Sequence, residues 1–229
     1  MRGVLALLVG LLALAGLAWH FGWRPPPAWN PWAPLDVRQR PNLLTPYKLS
    51  RLRDDPLLCR QALETSRLRY RAQADSPASA DCPLHNVWRI EGGQARLSSS
   101  FLASCPLAVA YALFEQHGLQ PVAQRVLGQP VMQVDHLGSF ACRNLYHRKQ
   151  GSLSQHATAN ALDISGFRLQ DGQRIVLARD WQAGGRKADF LREVQQAACE
   201  SFSTVLGPDY NAAHRDHFHL DMGRWQICR

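Results

Sequence analysis

The stretch SQHATANALDISGF at residues 154–167 places a histidine seven residues before an aspartate, and apolar and polar residues alternate around the aspartate. This alternation predicts a strand that begins near Asp163, preceded by a loop that carries His156. Because the loop can fold back over the sheet, the two side chains can converge on one point. Imidazole and carboxylate are ligands that zinc accepts at about 2.0 to 2.2 Å. The stretch therefore predicts a sheet strand with a metal site at its start.

A second histidine-rich stretch, HRDHFHLD at residues 214–221, supplies a third donor. Its pattern predicts a strand in which His217 and His219 point to one face and Asp216 to the other. One of the two histidines is enough to give zinc three protein ligands and to leave the fourth position open to water. The alternative is that these histidines are polar core residues, but two such motifs in one chain favour a metal. His214 fits no ligand spacing, so we expect it to cap the preceding loop.

The rest of the chain predicts both helices and strands. The stretch at residues 105–128 predicts an apolar helix that ends near Gly118. Residues 161–181 alternate as two strands joined at Asp171–Gly172, a common hairpin turn. The periodicity of residues 188–206 predicts a further helix, with an apolar face of Phe190, Val194, Ala198 and Phe202. We therefore predict an α+β domain, with an antiparallel sheet and helices packed on one side, preceded by an N-terminal transmembrane helix.

The N-terminus contains an uncharged apolar run at residues 3–19. At about 1.5 Å per residue, a helix of this length spans roughly 26 Å, close to the hydrocarbon thickness of a bilayer. We expect residues 1–23 to be a single-pass signal anchor in the inner membrane, with the remainder in the periplasm. The alternative is a cleavable signal peptide, for which Gly16 and Ala18 offer a cleavage site, and a secreted periplasmic protein.

Residues 24–42 form a proline-rich stretch that contains six prolines. Prolines fix the backbone and remove amide donors, which favours an extended and stiff segment. We expect this stretch to be a periplasmic tether that lifts a folded domain, residues 43–229, away from the membrane.

Six cysteines are scattered along the chain, and none lies in a CxxC pair. An even number of dispersed cysteines in an exported protein favours structural disulfides over metal ligation, and six cysteines permit fifteen pairings. The alternative is that several of them are buried thiols.

The composition, 46% hydrophobic and 19% charged, excludes an intrinsically disordered chain. The net charge of +8 raises the question of a nucleic-acid partner. Its basic residues are spread as singles and pairs without a long basic run, which is typical of a solvated surface. We therefore expect no nucleic-acid partner.

Three segments together resemble a known family: SFACR at residues 139–143, SQHATANALDISGF and HRDHFHLD. They resemble the extensin-like C-terminal domain family over roughly residues 105–229. That family is in turn similar to the zinc D-alanyl-D-alanine carboxypeptidases and murein endopeptidases, the hedgehog-type metallopeptidase superfamily. The pattern of those peptidases is S-x-H, then A-x-D, then a final H-x-H or acid-x-x-H.

The resemblance implies a role for each matching residue. It implies that His156, Asp163 and His219 are the zinc ligands and that Arg143 faces the substrate. It also implies that Ser154 supports the loop that carries His156, here called the ligand loop. The planar guanidinium of an arginine suits a peptide carboxylate or a developing oxyanion, because it donates two parallel hydrogen bonds. The alternative for Arg143 is a structural salt bridge.

Two residues are candidates for the general base. Asp216 has the acid-x-x-H spacing to His219, whereas His217 shares the face of His219 in a regular strand. We favour His217 and keep Asp216 as the second candidate, since a bulge would reverse the two faces. Ala159 stands where peptidases of this type generally have glycine, and we expect its side chain to narrow the cleft.

The function that follows from the resemblance is that of a membrane-tethered periplasmic zinc-dependent peptidase. Its expected substrates are the stem peptides or cross-links of peptidoglycan, and its expected cofactor is Zn²⁺. The alternative is a non-catalytic, zinc-stabilised module that binds peptidoglycan or scaffolds an envelope complex.

Overall fold

The computed structural model describes residues 2–76, 81–145 and 148–229. Within these residues, the α-helices are α1 Arg2–His20, α2 Thr45–Arg51, α3 Pro56–Glu64, α4 Cys105–Leu113, α5 Gln120–Leu127, α6 Leu177–Asp180 and α7 Gly185–Ala198. The β-strands there are β1 Arg69–Ala72, β2 Val87–Gly92, β3 Arg96–Leu97, β4 Phe101–Ser104, β5 Val131–Gly138, β6 Ala161–Leu169, β7 Arg174–Val176, β8 Thr204–Leu206, β9 Phe218–Asp221 and β10 Ile227–Cys228.

Two sheets organise the strands. A three-stranded antiparallel sheet has the order β1-β2-β4, and a larger sheet has the order β10-β8-β9-β6-β5-β3, with β7 also paired to β6. The pairs within the larger sheet are antiparallel, apart from β3 with β5 and β8 with β10. The structure thus confirms the predicted α+β class with a mainly antiparallel sheet.

Strand β6 separates the core from the opposite face of the sheet. Leu162 and Ile164 are fully buried in the hydrophobic core, and Phe167 of the same strand packs edge-on against Phe190 of α7. Asp163 lies between Leu162 and Ile164, and side chains alternate between the faces of a strand. Its carboxylate therefore points away from the core and from the helices that cover it.

The expected end of a helix near Gly118 is wrong. The chain continues from α4 through a π-helical turn, Phe114–Leu119, into α5, and it ends at Gly128 with a left-handed φ of 76°. A side chain at position 118 would meet the Cβ of Ala197 at 3.2 Å, so the glycine serves close approach to α7 and does not end the helix. The hairpin predicted at Asp171–Gly172 is confirmed by the antiparallel pairing of β6 with β7.

The second histidine-rich stretch is only partly a strand. Strand β9 begins at Phe218, and a 3-10 turn, Ala212–His214, and a further turn precede it. The predicted helix over residues 188–206 ends at Ala198, and Phe202 lies in the connection to β8.

The proline-rich stretch packs against the domain. The ammonium of Lys48 donates a hydrogen bond to the carbonyl of Pro27 at 2.6 Å, and the guanidinium of Arg51 donates one to the carbonyl of Pro31 at 2.9 Å. Leu35 and Val37 are buried in the same core as the sheet. The packed body therefore begins before the expected boundary at residue 43, because two apolar side chains of the expected tether contribute to the core.

Helix α1 precedes this packed stretch. Among the residues that the structure describes, no helix has the length and apolar character that crossing a membrane requires. The signal anchor expected at residues 1–23 therefore stays a prediction.

All six cysteines form disulfides, which confirms the reading of the cysteines as structural. The pairs are Cys59–Cys105, Cys82–Cys142 and Cys199–Cys228. The first bridge joins α3 to the start of α4, the second joins the loop between β1 and β2 to the segment after β5, and the third joins the end of α7 to β10.

A buried carboxylate fixes the turn between β2 and β3 to the helical layer. Glu115 is 1% exposed, and its two oxygens accept hydrogen bonds from the backbone N–H groups of Gln94 and Ala95, each at 2.9 Å. Burial raises the pKa of Glu115, while these two hydrogen bonds and the charge of Arg69 oppose the rise.

We expect Glu115→Ala to lower the free energy of unfolding by about 2 to 5 kcal/mol, because two buried N–H groups lose their acceptor. Glu193→Ala is the control, since it removes an exposed ion pair with Arg125 and should lower the same quantity by less than about 1 kcal/mol. Denaturant unfolding followed by circular dichroism measures both. Equal losses in the two variants would contradict the buried role of Glu115.

Candidate functional site

The loop that carries His156 is a capped 3-10 turn, Gln155–Thr158. The hydroxyl oxygen of Ser154 caps the turn and accepts a hydrogen bond from the backbone N–H of His156 at 3.3 Å. Ala159 ends the turn in a left-handed conformation, and the chain then enters β6. The turn holds the imidazole of His156 buried, with its edge toward the face of β6 that carries Asp163. Ser154 thus lies where the resemblance implies, as a support of this loop.

Asp163 and His219 meet because their strands are neighbours. The two residues are directly opposite partners in the antiparallel pair of β6 and β9. Directly opposite residues of such a pair project to the same side of the sheet, with their Cβ atoms about 4.5 to 5.5 Å apart. Phe218 and Leu220, which flank His219, are buried on the core side, so His219 shares the outer face with Asp163.

The structure brings the three predicted ligands together. The Nε2 atom of His156 lies 3.2 Å from Oδ2 of Asp163, and Nδ1 of His219 lies 2.9 Å from Oδ1 of the same carboxylate. The two imidazole nitrogens are 3.2 Å apart. Donor atoms bound to one zinc ion in a tetrahedral site lie about 3.3 to 3.6 Å apart. The three separations are a few tenths of an ångström shorter, so a small outward shift of the three side chains would let them hold one ion.

Each of His156 and His219 has a second ring nitrogen that faces away from Asp163, called its outer nitrogen, and each outer nitrogen has its own hydrogen-bond partner. Nδ1 of His156 lies 3.0 Å from the carbonyl oxygen of Ser139, and Nε2 of His219 lies 3.0 Å from Oδ2 of Asp221. Both partners are acceptors, so these nitrogens carry the protons and donate. In the neutral imidazoles, Nε2 of His156 and Nδ1 of His219 then carry lone pairs. Three electron-pair donors, including the Asp163 carboxylate, therefore face one another, an arrangement that requires a cation or an added proton.

The electrostatics of the cluster agree with that requirement. Burial favours the neutral form of His219, but hydrogen bonds and charges from Asp163 and Asp221 outweigh it and raise the pKa of His219 to about 9. Burial likewise opposes the ionisation of Asp163, yet hydrogen bonds from His156 and His219 lower its pKa well below the usual range. In the absence of a metal, these shifts favour a protonated His219 beside the ionised carboxylate of Asp163.

His217 and Asp216 form a pair beside the cluster. Nδ1 of His217 lies 2.9 Å from Oδ1 of Asp216, and its Nε2 lies 3.8 Å from Oδ1 of Asp163. Asp216 borders a neighbouring cleft with Trp181, whereas His217 borders the cleft of the cluster. The structure therefore places the imidazole, and not the carboxylate, next to the candidate metal position.

His214 lies at the cluster as well as in its loop. Its Nδ1 lies 2.8 Å from Oδ1 of Asn211, the residue that caps the short turn, which agrees with the expected loop role. Its ring is also 5.3 Å from that of His217 and 5.8 Å from that of His219, centroid to centroid. Burial, followed by the charges of His219 and His217, lowers the pKa of His214 to about 4. His214 is therefore neutral near pH 7.

The cluster opens into a cleft of about 320 Å³. Arg143 borders this cleft, in an irregular segment after β5. Among the described residues, no carboxylate forms an ion pair with Arg143, so its alternative role in a structural salt bridge is not observed. Leu206 and Tyr210 form part of the opposite lining, which gives the cleft apolar contact area.

Ala159 lies behind the cleft and not in it. It is fully buried, it is absent from the cleft lining, and its carbonyl accepts a hydrogen bond from the N–H of Ser104 at 2.7 Å. The expected narrowing of the cleft by Ala159 is therefore wrong. Its φ of 53° is a left-handed backbone conformation, which favours a residue without Cβ, so a glycine would also fit at this position.

The sequence did not identify two residues that hydrogen-bond to the histidines of the cluster, Asp221 and Ser139. Asp221 follows His219 by two positions in β9, so strand alternation puts both on one face, and this signal could have identified it. Ser139 acts through its backbone carbonyl, for which the sequence carries no residue-type signal.

Comparison with known proteins gives one match. The family model described as extensin-like protein C-terminus matches residues 57–229, about three quarters of the chain. No curated protein and no solved structure matches the chain. The match begins upstream of the region that carries the motifs, so it includes α3 and the three-stranded sheet.

We expect Ala159→Gly to leave the free energy of unfolding within about 1 kcal/mol of the wild type, because relief of left-handed strain offsets the lost buried methyl group. Ala159→Val should lower it by more than about 2 kcal/mol, since a β-branched residue with positive φ is a strong outlier and the position is fully packed. Thermal unfolding of both variants tests this. A valine variant as stable as the glycine variant would contradict the assigned conformation.

Proposed function

The chain belongs to the extensin-like protein C-terminal family, and from this membership and the geometry of its cluster we propose that it is a zinc-dependent peptidase of the cell envelope. Its proposed substrates are the stem peptides or cross-links of peptidoglycan. Its proposed zinc ligands are His156, Asp163 and His219.

The convergence of three lone pairs is the observation that carries the proposal. Each imidazole has its outer nitrogen held by an acceptor, which directs the lone pair of the other nitrogen toward Asp163. Histidine ligands of metals commonly donate their second N–H to a carbonyl or a carboxylate in this way. Two nitrogens and one carboxylate form a donor set that suits zinc, and the open side toward the cleft is typical of a catalytic site.

The chemistry that zinc supplies when bound is Lewis acidity, which makes water more acidic and polarises a carbonyl. The chain supplies the proton carrier. Asp216 accepts the Nδ1 proton of His217 and so leaves Nε2 free on the side of the cluster. This nitrogen can accept a proton from the attacking water and return it to the amine that leaves, which is general acid–base catalysis.

Arg143 and His214 both border the cleft but offer it different hydrogen-bonding groups. The guanidinium of Arg143 can hold a peptide carboxylate through two parallel hydrogen bonds at the cleft. His214 is neutral near pH 7, and its Nδ1–H donates to Oδ1 of Asn211, so its Nε2 is available to the cleft as a hydrogen-bond acceptor.

The substrate class and the location rest on different observations. The proposed peptidoglycan substrate comes from the similarity of the three motifs to zinc D-alanyl-D-alanine peptidases. The proposed location outside the cytoplasm is supported by the three disulfides, which persist in oxidising compartments. We propose in addition that the apolar run at residues 3–19 inserts into the inner membrane as a signal anchor.

The metal and the reaction are tested together. The detergent-solubilised full chain should bind one equivalent of zinc and release fragments from purified muropeptides, and His156→Ala should lose both. His85→Ala is the matched control, because His85 pairs with Asp75 at the surface and should retain both properties. Elemental analysis and chromatography of the fragments provide the readouts. If the chain binds zinc and sacculi but releases no fragment, the proposed peptidase activity is contradicted and the non-catalytic binding module is favoured.

A second pair of variants tests the base. We expect His217→Ala to lower kcat by about 10²- to 10⁴-fold with zinc retained, since it removes the proton acceptor. Asp216→Asn should give a smaller loss, because the imidazole remains but is less well oriented. If His217→Ala keeps its activity while Asp216→Asn loses it, the carboxylate is the base and the assignment is reversed.

A further inference from the structure

A short segment, residues 139–143, runs alongside the ligand loop and contacts it at every second residue. Ser139 accepts a hydrogen bond from Nδ1 of His156 at 3.0 Å, and Ala141 donates its N–H to the carbonyl of His156 at 3.1 Å. The carbonyl of Arg143 accepts the N–H of Ser154 at 3.0 Å. This flanking segment therefore fixes the imidazole of one proposed ligand and presents Arg143 to the cleft.

The residue between the last two contacts forms a disulfide on the opposite side. Cys142 is bonded to Cys82, with a Cα–Cα distance of 5.6 Å. Within the described parts of the chain, the hydrogen bonds of the flanking segment run to residues 154–156 of the ligand loop. The bridge is thus a covalent cross-link between the flanking segment and the loop that joins β1 and β2 of the three-stranded sheet.

The other end of the bridge is firmly held. Cys82 is buried, in the loop between β1 and β2. Four residues farther on, Asn86 donates a side-chain hydrogen bond to the carbonyl of Leu52 at 2.9 Å, and its own carbonyl accepts the N–H of Cys105 at 3.1 Å. Cys105 is in turn bonded to Cys59, so residues 82–86 of this loop are fixed to the helical layer.

We propose that the Cys82–Cys142 disulfide is a positioning element of the metal site. By holding residues 139–143 against the ligand loop, it orients the imidazole of His156 through Ser139 and places Arg143 at the cleft. The inference deepens the proposed function and rests on it, because it concerns the same site. Partners that orient a metal-binding histidine typically contribute about 10- to 100-fold to metal affinity.

The chain offers a matched control in another bridge that has an exposed cysteine. Cys199–Cys228 lies at the end of α7, and its residues border the opposite edge of the large sheet. The two bridges close separations of 60 and 29 residues. Because the entropic contribution of a disulfide grows only with the logarithm of loop length, their general effects on stability should be similar. A difference in zinc affinity between chains that lack one bridge or the other would then reflect where the bridge lies, and not a general loss of stability.

The test compares the full chain with two double variants, Cys82→Ala/Cys142→Ala and Cys199→Ala/Cys228→Ala. Zinc dissociation constants are measured by competition with a chelator, and cobalt is substituted to record the ligand-field spectrum, which reports coordination geometry. We expect the first variant to bind zinc about 10-fold or more weakly, with an altered cobalt spectrum. We expect the second to match the wild type in both measurements.

Equal zinc affinity and an unchanged cobalt spectrum in the first variant would overturn the inference. A wild-type chain that binds no zinc would instead overturn the proposed function, so the two failures are distinguishable. If the first variant does not fold, the Cys199→Ala/Cys228→Ala chain is treated with a mild phosphine, which opens the exposed Cys142 bridge before the fully buried Cys59–Cys105 bridge. Loss of zinc affinity on that reduction supports the inference, and retention overturns it.

Discussion

Three electron-pair donors of this chain face one another across about 3 Å, and the remainder of the site is arranged around that constraint. Neutral imidazoles whose outer nitrogens donate to acceptors cannot also donate toward Asp163. A proton or a metal must therefore occupy the space between them. The pKa of His219 is raised in the same sense, because the carboxylates of Asp163 and Asp221 favour its protonated form over the effect of burial.

The fold maintains this arrangement with two devices. The antiparallel pair of β6 and β9 fixes Asp163 opposite His219 by register alone, while buried apolar neighbours prevent either strand from turning over. The capped turn of residues 154–159 and the flanking segment then bring His156 to the same point. The sheet thus supplies two donors rigidly, and loops supply the third donor and the groups around it.

Sequence reasoning predicted the parts of the site that depend on residue type and period. Alternation predicted a strand at Asp163 and the face of His219, because these signals are local, while the resemblance of the three motifs implied His156, Asp163 and His219 as the ligand set. It did not identify the carbonyl of Ser139 or the cysteine pairing, which depend on contacts between distant segments. It also mistook Gly118 for a helix end, since a glycine needed for close packing resembles a glycine that stops a helix.

X-ray absorption at the zinc edge of the zinc-loaded full chain tests the central claim most directly. The account predicts a first shell of nitrogen and oxygen atoms at about 2.0 to 2.2 Å, including two imidazoles, and no sulfur, because all six cysteines are in disulfides. The imidazole scattering should fall by half in His219→Ala. A sulfur shell near about 2.3 Å, or a spectrum unaltered by that substitution, would contradict it.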